Sequence, residues 1–474
     1  MRRIASLAIA LLAAMPALAA DAPPPVRHPE LDAIAAAVSP ESLRRFDAAL
    51  VGFGTRHTLS DTRSDSRGIG AARRWVKAQF ERFSADCGGC LEVVTPSRVF
   101  TGKRMPAAGA EVQDVVAIQR GSSDPDRVVV ITGHLDSRCS DVMDAECDAP
   151  GANDDASGVS ALLEAARVLS RHKFAATIVY SADSGEEQGL YGGKVIAQYA
   201  VDHGWKVEAN LNNDIVGSPL GGDGQRDANS VRVFSEGTKS NETPEQAGDR
   251  RYHGGEVDSP SRNIARFMQS LAERHLGDFR VRMVYRTDRY GRGGDQVEFL
   301  SQGFPAVRVT ESHEDYTHQH QDLRTENGVR YGDTLDHVDF DYLANVTRLD
   351  AITLAALANA PAPPDGIQVK GEVDYDTTLS WRPSPGATGY RAWWRDTTAP
   401  QWQHARDAGA ATSIVLKGVN IDDWFFGVSA LGADGWESPV AFPGFAGSFG
   451  RSPPGSSRAA SSTPSSPTPR ARCS

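Results

Sequence analysis

Five short polar clusters in this sequence hold the residue types that bind and use a metal ion. The apolar run Val128–Thr132 ends in Gly133-His134-Leu135-Asp136. The run Ala176–Ser181 ends in Ala182-Asp183-Ser184-Gly185-Glu186-Glu187. The run Val207–Asn212 ends in Asn213-Asp214. Ala306–Thr310 leads into Glu311-Ser312-His313 and then Tyr316-Thr317-His318-Gln319-His320-Gln321-Asp322. The fifth cluster, Asn153-Asp154-Asp155-Ala156-Ser157-Gly158, opens a helix. Singly, each has an ordinary structural reading. An Asp pair before a helix is a common N-cap, and adjacent glutamates are usually a solvated pair. Together they supply the imidazole and carboxylate donors that zinc takes at about 2 Å. Two His, two Asp and one Glu hold two zinc ions if one carboxylate bridges, and a sixth acid is left over as a base. Paired cations lower the pKa of a shared water, so the implied chemistry is metal-assisted hydrolysis.

The elements between these clusters must place them at one end of a sheet. Strand runs are expected at Asp114–Gln119, Arg127–Thr132, Ala175–Ser181, Val207–Asn213, Val231–Ser235, Val281–Tyr285 and Ala306–Thr310. Helical spacing of apolar residues marks Gly68–Phe83, with Ile69, Ala72, Val76, Phe80 and Phe83 on one stripe, and also Ser157–Ser170 and Phe340–Leu357. Alternating β and α elements with unbroken Val/Ile strands predict an α/β fold. Its sheet is mostly parallel (mixed), with helices on both faces, and its chemistry collects at the carboxyl ends of the strands.

With 474 residues, 40% hydrophobic and 23% charged, the chain has material for a large core and one or two further units. A net charge of −11 argues against broad nucleic-acid binding. No apolar run reaches the roughly 18 residues of a membrane span. Arg2 and Arg3, the apolar stretch from Ile4 to Ala14 and Ala17-Leu18-Ala19 form a cleavable secretory leader over residues 1–19. Its removal takes the net charge to −13, and the protein is expected to be secreted or periplasmic. Outside the cytosol, Cys87, Cys90, Cys139 and Cys147 are expected to pair, with three connectivities open, and Cys473 is left over. Residues 20–40 are Pro/Ala-rich and read as a loose lead-in.

Composition shifts at Pro361-Ala362-Pro363-Pro364. Six of the eight Trp lie between Trp381 and Trp436, among short alternating runs that predict a small all-β sandwich over residues 364–445. Trp381, Tyr390 and Phe426 are its expected core. Trp393, Trp394, Trp402 and Trp436 are candidates for an exposed face contacting a polymer or surface, against the plainer role of a spacer. Residues 446–474 are Ser/Pro/Arg-rich and expected to be disordered.

His-Leu-Asp-Ser at 134–137, Ala-Pro-Gly-Ala-Asn-Asp-Asp-Ala-Ser-Gly at 149–158 and Gly-Glu-Glu-Gln-Gly-Leu-Tyr-Gly at 185–192 resemble the dizinc aminopeptidase family, metallopeptidase family twenty-eight. That family includes secreted bacterial leucyl aminopeptidases and has glutamate carboxypeptidase and glutaminyl cyclase among its relatives. The resemblance covers roughly Val51 to Ala358, within a peptidase domain read as 41–360. It implies two Zn2+. His134 and Asp214 would hold the first, Glu187 the second, and Asp154 would bridge. Asp136 would orient His134, and Glu186 would be the general base. It also implies a last ligand four residues before an Asp; His318, before Asp322, fits, with His320 and His313 as rivals. Gln296 stands where relatives often carry His. Phe53–His57 is a polar loop in which His57 has a structural role or lines the pocket. The sandwich resembles a fibronectin type III domain.

These readings imply an aminopeptidase acting on peptides with a free N-terminus. The alternatives are a carboxypeptidase or dipeptidase, a glutaminyl-cyclase-like acyltransferase, and an inactive protein that binds peptide or glycan. The cyclase-like relatives use one zinc, so a full five-ligand set favours hydrolysis.

Overall fold

In the computed structural model, which describes residues 26–450, an eight-stranded sheet forms the centre of the chain. In spatial order its strands are Leu91–Val94, Val115–Gln119, Ala176–Asp183, Asp124–His134, Lys206–Asn213, Ala306–Thr310, Ser230–Phe234 and Arg280–Val284. Four of the seven pairings are parallel and three antiparallel, so the sheet is mixed. The four strands from Ala176–Asp183 to Ala306–Thr310 run side by side in one direction. Their carboxyl ends carry four of the five polar clusters.

The unbroken Val128–Ile131 run is explained by burial on both faces. Val129 and Ile131 point into a core with helices Ser157–Leu169 and Phe340–Asn359, whereas Val128 and Val130 point to the opposite layer with Ile196, Ala197 and Phe299. Successive strand side chains face opposite ways, so a sheet covered on both sides needs apolar residues at every position. The expected helices form at Gly68–Asp86, Ser157–Leu169 and Phe340–Asn359.

The N-terminal lead-in is not loose throughout. Pro29–Ala37 is an α-helix with Pro at its start. Leu31, Ile34, Ala35 and Val38 are buried, and the helix packs on Phe340–Asn359. Its apolar residues recur at helical spacing, which the Pro/Ala composition obscured. The leader at 1–19 lies outside the described residues. Among those described, no helix is long and apolar enough to cross a membrane.

Beyond Pro364, two three-stranded antiparallel sheets form. One holds Asp365–Lys370, Thr377–Arg382 and Ser413–Leu416; the other holds Gly389–Asp396, His404–Gly409 and Trp424–Leu431. Trp381, Tyr390 and Phe426 are buried between them. The four tryptophans do not form one exposed face: Trp393 and Trp394 are buried, and Trp402 and Trp436 half-buried. Trp394 is in the core and Trp393 donates to Ser429 Oγ at 2.8 Å. Trp402 donates to Asn263 Oδ1 at 3.2 Å, and Trp436 stacks on His28 at 3.6 Å. These last two rings serve the joint with the larger sheet's helices. Asp258, fully buried, lies at the centre of that joint. Arg395 reaches both its oxygens at 2.8 Å and Arg266 reaches Oδ1 at 2.8 Å. The tail's expected disorder does not begin at 446. Ala446 and Gly447 are buried, and Ser448 O accepts from Lys239 Nζ at 3.0 Å. Residues 451–474 lie outside the described residues.

Removing one member of a buried ion pair strands the others. Asp258→Ala, which leaves two guanidiniums without their partner, is expected to destabilise by about 3–5 kcal/mol. Asp336→Ala, at the exposed Arg330 pair, should cost no more than about 1 kcal/mol. Denaturant unfolding of both variants checks this; equal losses would show that the joint does not rest on Asp258.

Candidate metal centre

The site is assembled by a carboxylate that does not face it. Asp155, fully buried, accepts from the backbone N–H of His134 at 2.9 Å, Gly158 at 3.0 Å and Ile215 at 3.2 Å. One side chain thus ties the end of strand Asp124–His134 to the start of helix Ser157–Leu169 and to the residue after Asp214. The approach is close enough to require glycine. A Cβ on Gly133 would lie 2.7 Å from the Gly158 backbone, and one on Gly158 would lie 2.4 Å from Asp155 Oδ2. Asp333 does similar work next door, accepting the N–H groups of Asn153 and Asp154 at 2.7–3.0 Å.

Two groups of three donors result, and they share Asp154. In the first, His134 Nε2 is 3.0 Å from Asp154 Oδ1 and 3.9 Å from Asp214 Oδ1. In the second, His320 Nε2 is 3.0 Å from Asp154 Oδ2 and 2.9 Å from Glu187 Oε1. Within each group the donor atoms lie within 4.8 Å of one another, as ligands of one ion must. The other nitrogen of His134, Nδ1, faces the Asp136 carbonyl at 3.0 Å, with the Asp136 carboxylate at 3.6 Å. That contact fixes the ring and presents Nε2 to the site. Asp136 also accepts from the backbone of Glu186 and Glu187, both at 3.2 Å, and from Thr58 at 2.7 Å. Glu186 begins the short helix Glu186–Gly189. It borders a cavity of about 650 Å³ together with Asp154, Glu187, Asp214 and His320.

The electrostatics fit a centre designed around positive charge. Burial opposes charging His320, but Glu187 and Asp154 outweigh it and raise the ring to about 10. Burial likewise opposes charging His134, yet bonds to Asp136 and Asp154 hold it well above its ordinary value. Burial would raise Asp154, but the two imidazoles keep it well below the usual carboxylate range. Burial pushes Glu186 well up, with Asp214 and Glu187 adding to it and His134 opposing.

His134, Asp136, Asp154, Glu186, Glu187 and Asp214 come together as a set. His318 does not join them. Its ring stacks on His337 at 3.3 Å, with Nδ1 against the Gly332 carbonyl at 3.0 Å. The physical reason lies in the turn. His320 has φ +55°, a left-handed conformation unusual for a side-chain-bearing residue, and it is His320 whose ring meets Asp154 and Glu187. His313 lies outside both groups. Ile215, next to Asp214, is also left-handed, with φ +61°. Such backbone costs of order 1–3 kcal/mol per residue and gathers at functional sites.

Arg308 escaped sequence reasoning, though a charge inside the apolar strand Ala306–Thr310 was its signal. Fully buried, it binds Asp214 Oδ2 through Nη1, and its Nη2 donates to the Asp214 carbonyl at 3.1 Å. Gln296 is structural: it accepts from Asn212 at 3.0 Å and donates to Asp288 at 2.6 Å. His57 is buried, with Nε2 against the Val142 carbonyl at 3.0 Å. Its neighbour Arg56 gathers the carbonyls of Leu50, Leu135, Pro150 and Gly151. Cys87 pairs with Cys90, and Cys139 with Cys147.

The family model described as Peptidase family M28 matches residues 114–339. A protein of Leptosphaeria maculans named probable zinc metalloprotease is 43% identical over 423 residues, covering 88% of this chain and 98% of its own. One of Pyricularia oryzae with the same name is 43% identical, covering 87% and 84%. Among solved structures, LapA of Legionella pneumophila matches with a TM-score of 0.50 at 19% identity, over 71% of this chain and 78% of its own; that likeness bears on the fold alone.

Asp155→Ala should leave three buried N–H groups without an acceptor, at about 1–3 kcal/mol each. The expected outcome is a large loss of stability in denaturant together with weakened metal binding. A stable variant with unchanged metal affinity would remove Asp155 from its organising role.

Proposed function

The chain belongs to peptidase family M28, and from that premise we propose that it is a zinc-dependent aminopeptidase that removes N-terminal residues from peptides. The observation that carries this reading is the pair of three-donor groups sharing Asp154, with Glu186 beside them and outside both. The donor types are those zinc prefers. His134, Asp154 and Asp214 would hold one ion, and Asp154, Glu187 and His320 the other. Two positions rather than one favour hydrolysis over the one-zinc acyl-transfer alternative.

When bound, the ions supply Lewis acidity to a scissile carbonyl and to a water molecule. The chain's own residues do the rest. The Glu186 carboxylate accepts the proton from the attacking water and returns it to the leaving amine. Asp136 keeps His134 oriented and, through the Glu186 and Glu187 N–H groups, fixes the base relative to the ligands. Arg308 restrains Asp214 so that Oδ1 faces His134.

The leader at 1–19 and the paired cysteines support a secreted or periplasmic protein. We read 41–360 as the peptidase domain of the secreted bacterial leucyl aminopeptidase type. The C-terminal sheets read as a fibronectin type III-like unit, and the burial of their tryptophans favours a stabilising role over polymer contact.

Stepwise loss from the amino end of a free-amine peptide library, absent in its N-acetylated copy and stopped by a chelator, is the expected result by mass spectrometry. Cleavage of both sets would point to a carboxypeptidase. Glu186→Gln should lower turnover by about 10²–10⁴-fold while zinc stays bound; loss of zinc would overturn its role as base. Two zinc ions per chain are expected by elemental analysis, falling to one in His320→Ala and remaining two in His318→Ala. The opposite pattern would restore His318 as the ligand.

Proton linkage gives a separate check. In the metal-free protein both site imidazoles are raised, His320 to about 10. Raised pKa values favour the protonated rings, which cannot bind metal. Zinc binding at pH 7 should therefore release at least the His320 proton, and affinity should rise with pH toward 10. Calorimetry in buffers of different ionisation enthalpy measures the count; a value near zero would exclude this assignment.

A further inference from the structure

We infer that Arg138, with Arg104 beside it, forms a subsite for a carboxylate on the substrate. The inference rests on the aminopeptidase reading and names its substrate class. Four guanidiniums, from Arg104, Arg138, Arg289 and Arg292, line the cavity that holds Glu186 and the metal-binding acids. Two of them are already committed. Arg289 pairs with Asp288 at 3.1 Å and Glu314 at 3.4 Å, and Arg292 pairs with Glu314 at 3.2 Å.

Of the other two, Arg104 has no carboxylate partner among the described residues and Arg138 only a long, shared one. Arg138 is only 13% exposed, yet its one short contact is from Nε to the neighbouring Cys139 carbonyl at 3.2 Å. The nearest acid, Glu187 Oε2, is 3.9 Å away, and Glu187 is already engaged with His320. Arg104 donates to the Glu187 carbonyl at 2.8 Å and has no ion-pair partner among the described residues. A largely buried guanidinium whose nearest carboxylate is distant and shared is costly unless a ligand supplies a closer one. Its planar fork matches a carboxylate, which it can bind through two parallel bonds.

The backbone that carries Arg138 is also held in advance. On one side Ser137 accepts from the Arg56 N–H at 3.0 Å and donates to the Ala149 carbonyl at 2.7 Å. On the other, Cys139 is tied to Cys147. A held backbone removes part of the ordering cost that binding would otherwise carry. In the second cavity beside Asp154, of about 530 Å³, the one lining arginine, Arg226, is already paired with Asp339 at 2.9 Å. The cavity's acids Glu311, Glu314, Asp333 and Asp339 are each bonded to arginine, amide or backbone N–H partners.

The carboxylate has two possible sources: an acidic side chain on the terminal residue, or the free carboxyl end of a short peptide. Paired peptides separate them. Glu-Ala-Ala amide is compared with Gln-Ala-Ala amide, and Leu-Ala acid with Leu-Ala amide. kcat and KM are measured for cleavage. Binding of the same peptides to the zinc-loaded Glu186→Gln protein is measured by calorimetry, which does not depend on turnover. In one pair the acid should be favoured by about tenfold or more, chiefly in KM and Kd. Arg138→Gln should erase the difference and Arg138→Lys restore part of it. Arg104→Gln, at an exposed side chain, should reduce the same preference and carries the test if Arg138→Gln does not fold. Acid and amide within about twofold in both pairs, or a preference indifferent to both arginines, would overturn the subsite. Carboxylate-dependent binding without cleavage of any peptide would uphold the subsite and overturn the aminopeptidase reading.

Discussion

Three stretches of chain meet on the Asp155 carboxylate, and the rest of the centre depends on that meeting. The strand end carrying His134, the helix start following Asp154 and the turn following Asp214 each give it an N–H. Backbone donors have no conformational freedom of their own, so these bonds set the relative heights of three donor residues more firmly than side-chain contacts would. Arg56 completes the frame from the opposite side, holding carbonyls on both flanks of the loop between His134 and Asp154. A buried acid and a buried base, neither belonging to the donor groups, thus act as the template on which those groups are arranged.

Much of this was legible in the sequence, and the failures have physical causes. Strand ends were readable because a sheet buried on both faces demands unbroken apolar runs, and polar residues then mark where burial stops. His318 was preferred over His320 because spacing describes distance along the chain. The left-handed residue at 320 redirects a tight turn, and nothing in a two-residue spacing encodes that reversal. The helix Pro29–Ala37 was hidden by composition: proline and alanine suggested a linker, although Leu31, Ile34 and Val38 carried the helical stripe. Whether the tryptophans would be covered stayed open for a different reason. Their partners, Asn263 and His28, lie far away in sequence, and local pattern is silent on such pairs.

Arg308 gives the two donor groups different characters. One oxygen of Asp214 is taken by a buried guanidinium, whereas both oxygens of Asp154 face imidazoles. Burial works against the charge on Arg308, but Asp214 and Asp288 sustain it. The first group therefore has a guanidinium bound directly to one of its donor carboxylates, whereas the guanidinium nearest the second group's carboxylates, Arg138, stands 3.9 Å from Glu187; an ion entering the first meets a donor whose charge is already shared. Two positions built from similar residues need not be equivalent when their surroundings differ in this way.

The stacking of His28 on Trp436 joins the two ends of the described chain. During synthesis the amino-terminal helix emerges first, but one of its neighbours is made almost last. That ring contact stays unmade through translation of the whole sheet, and a chain truncated before Trp436 can never make it. The contact thus links the start of the described chain to the segment made after its last strand, while the helix's packing on Phe340–Asn359 does not depend on it.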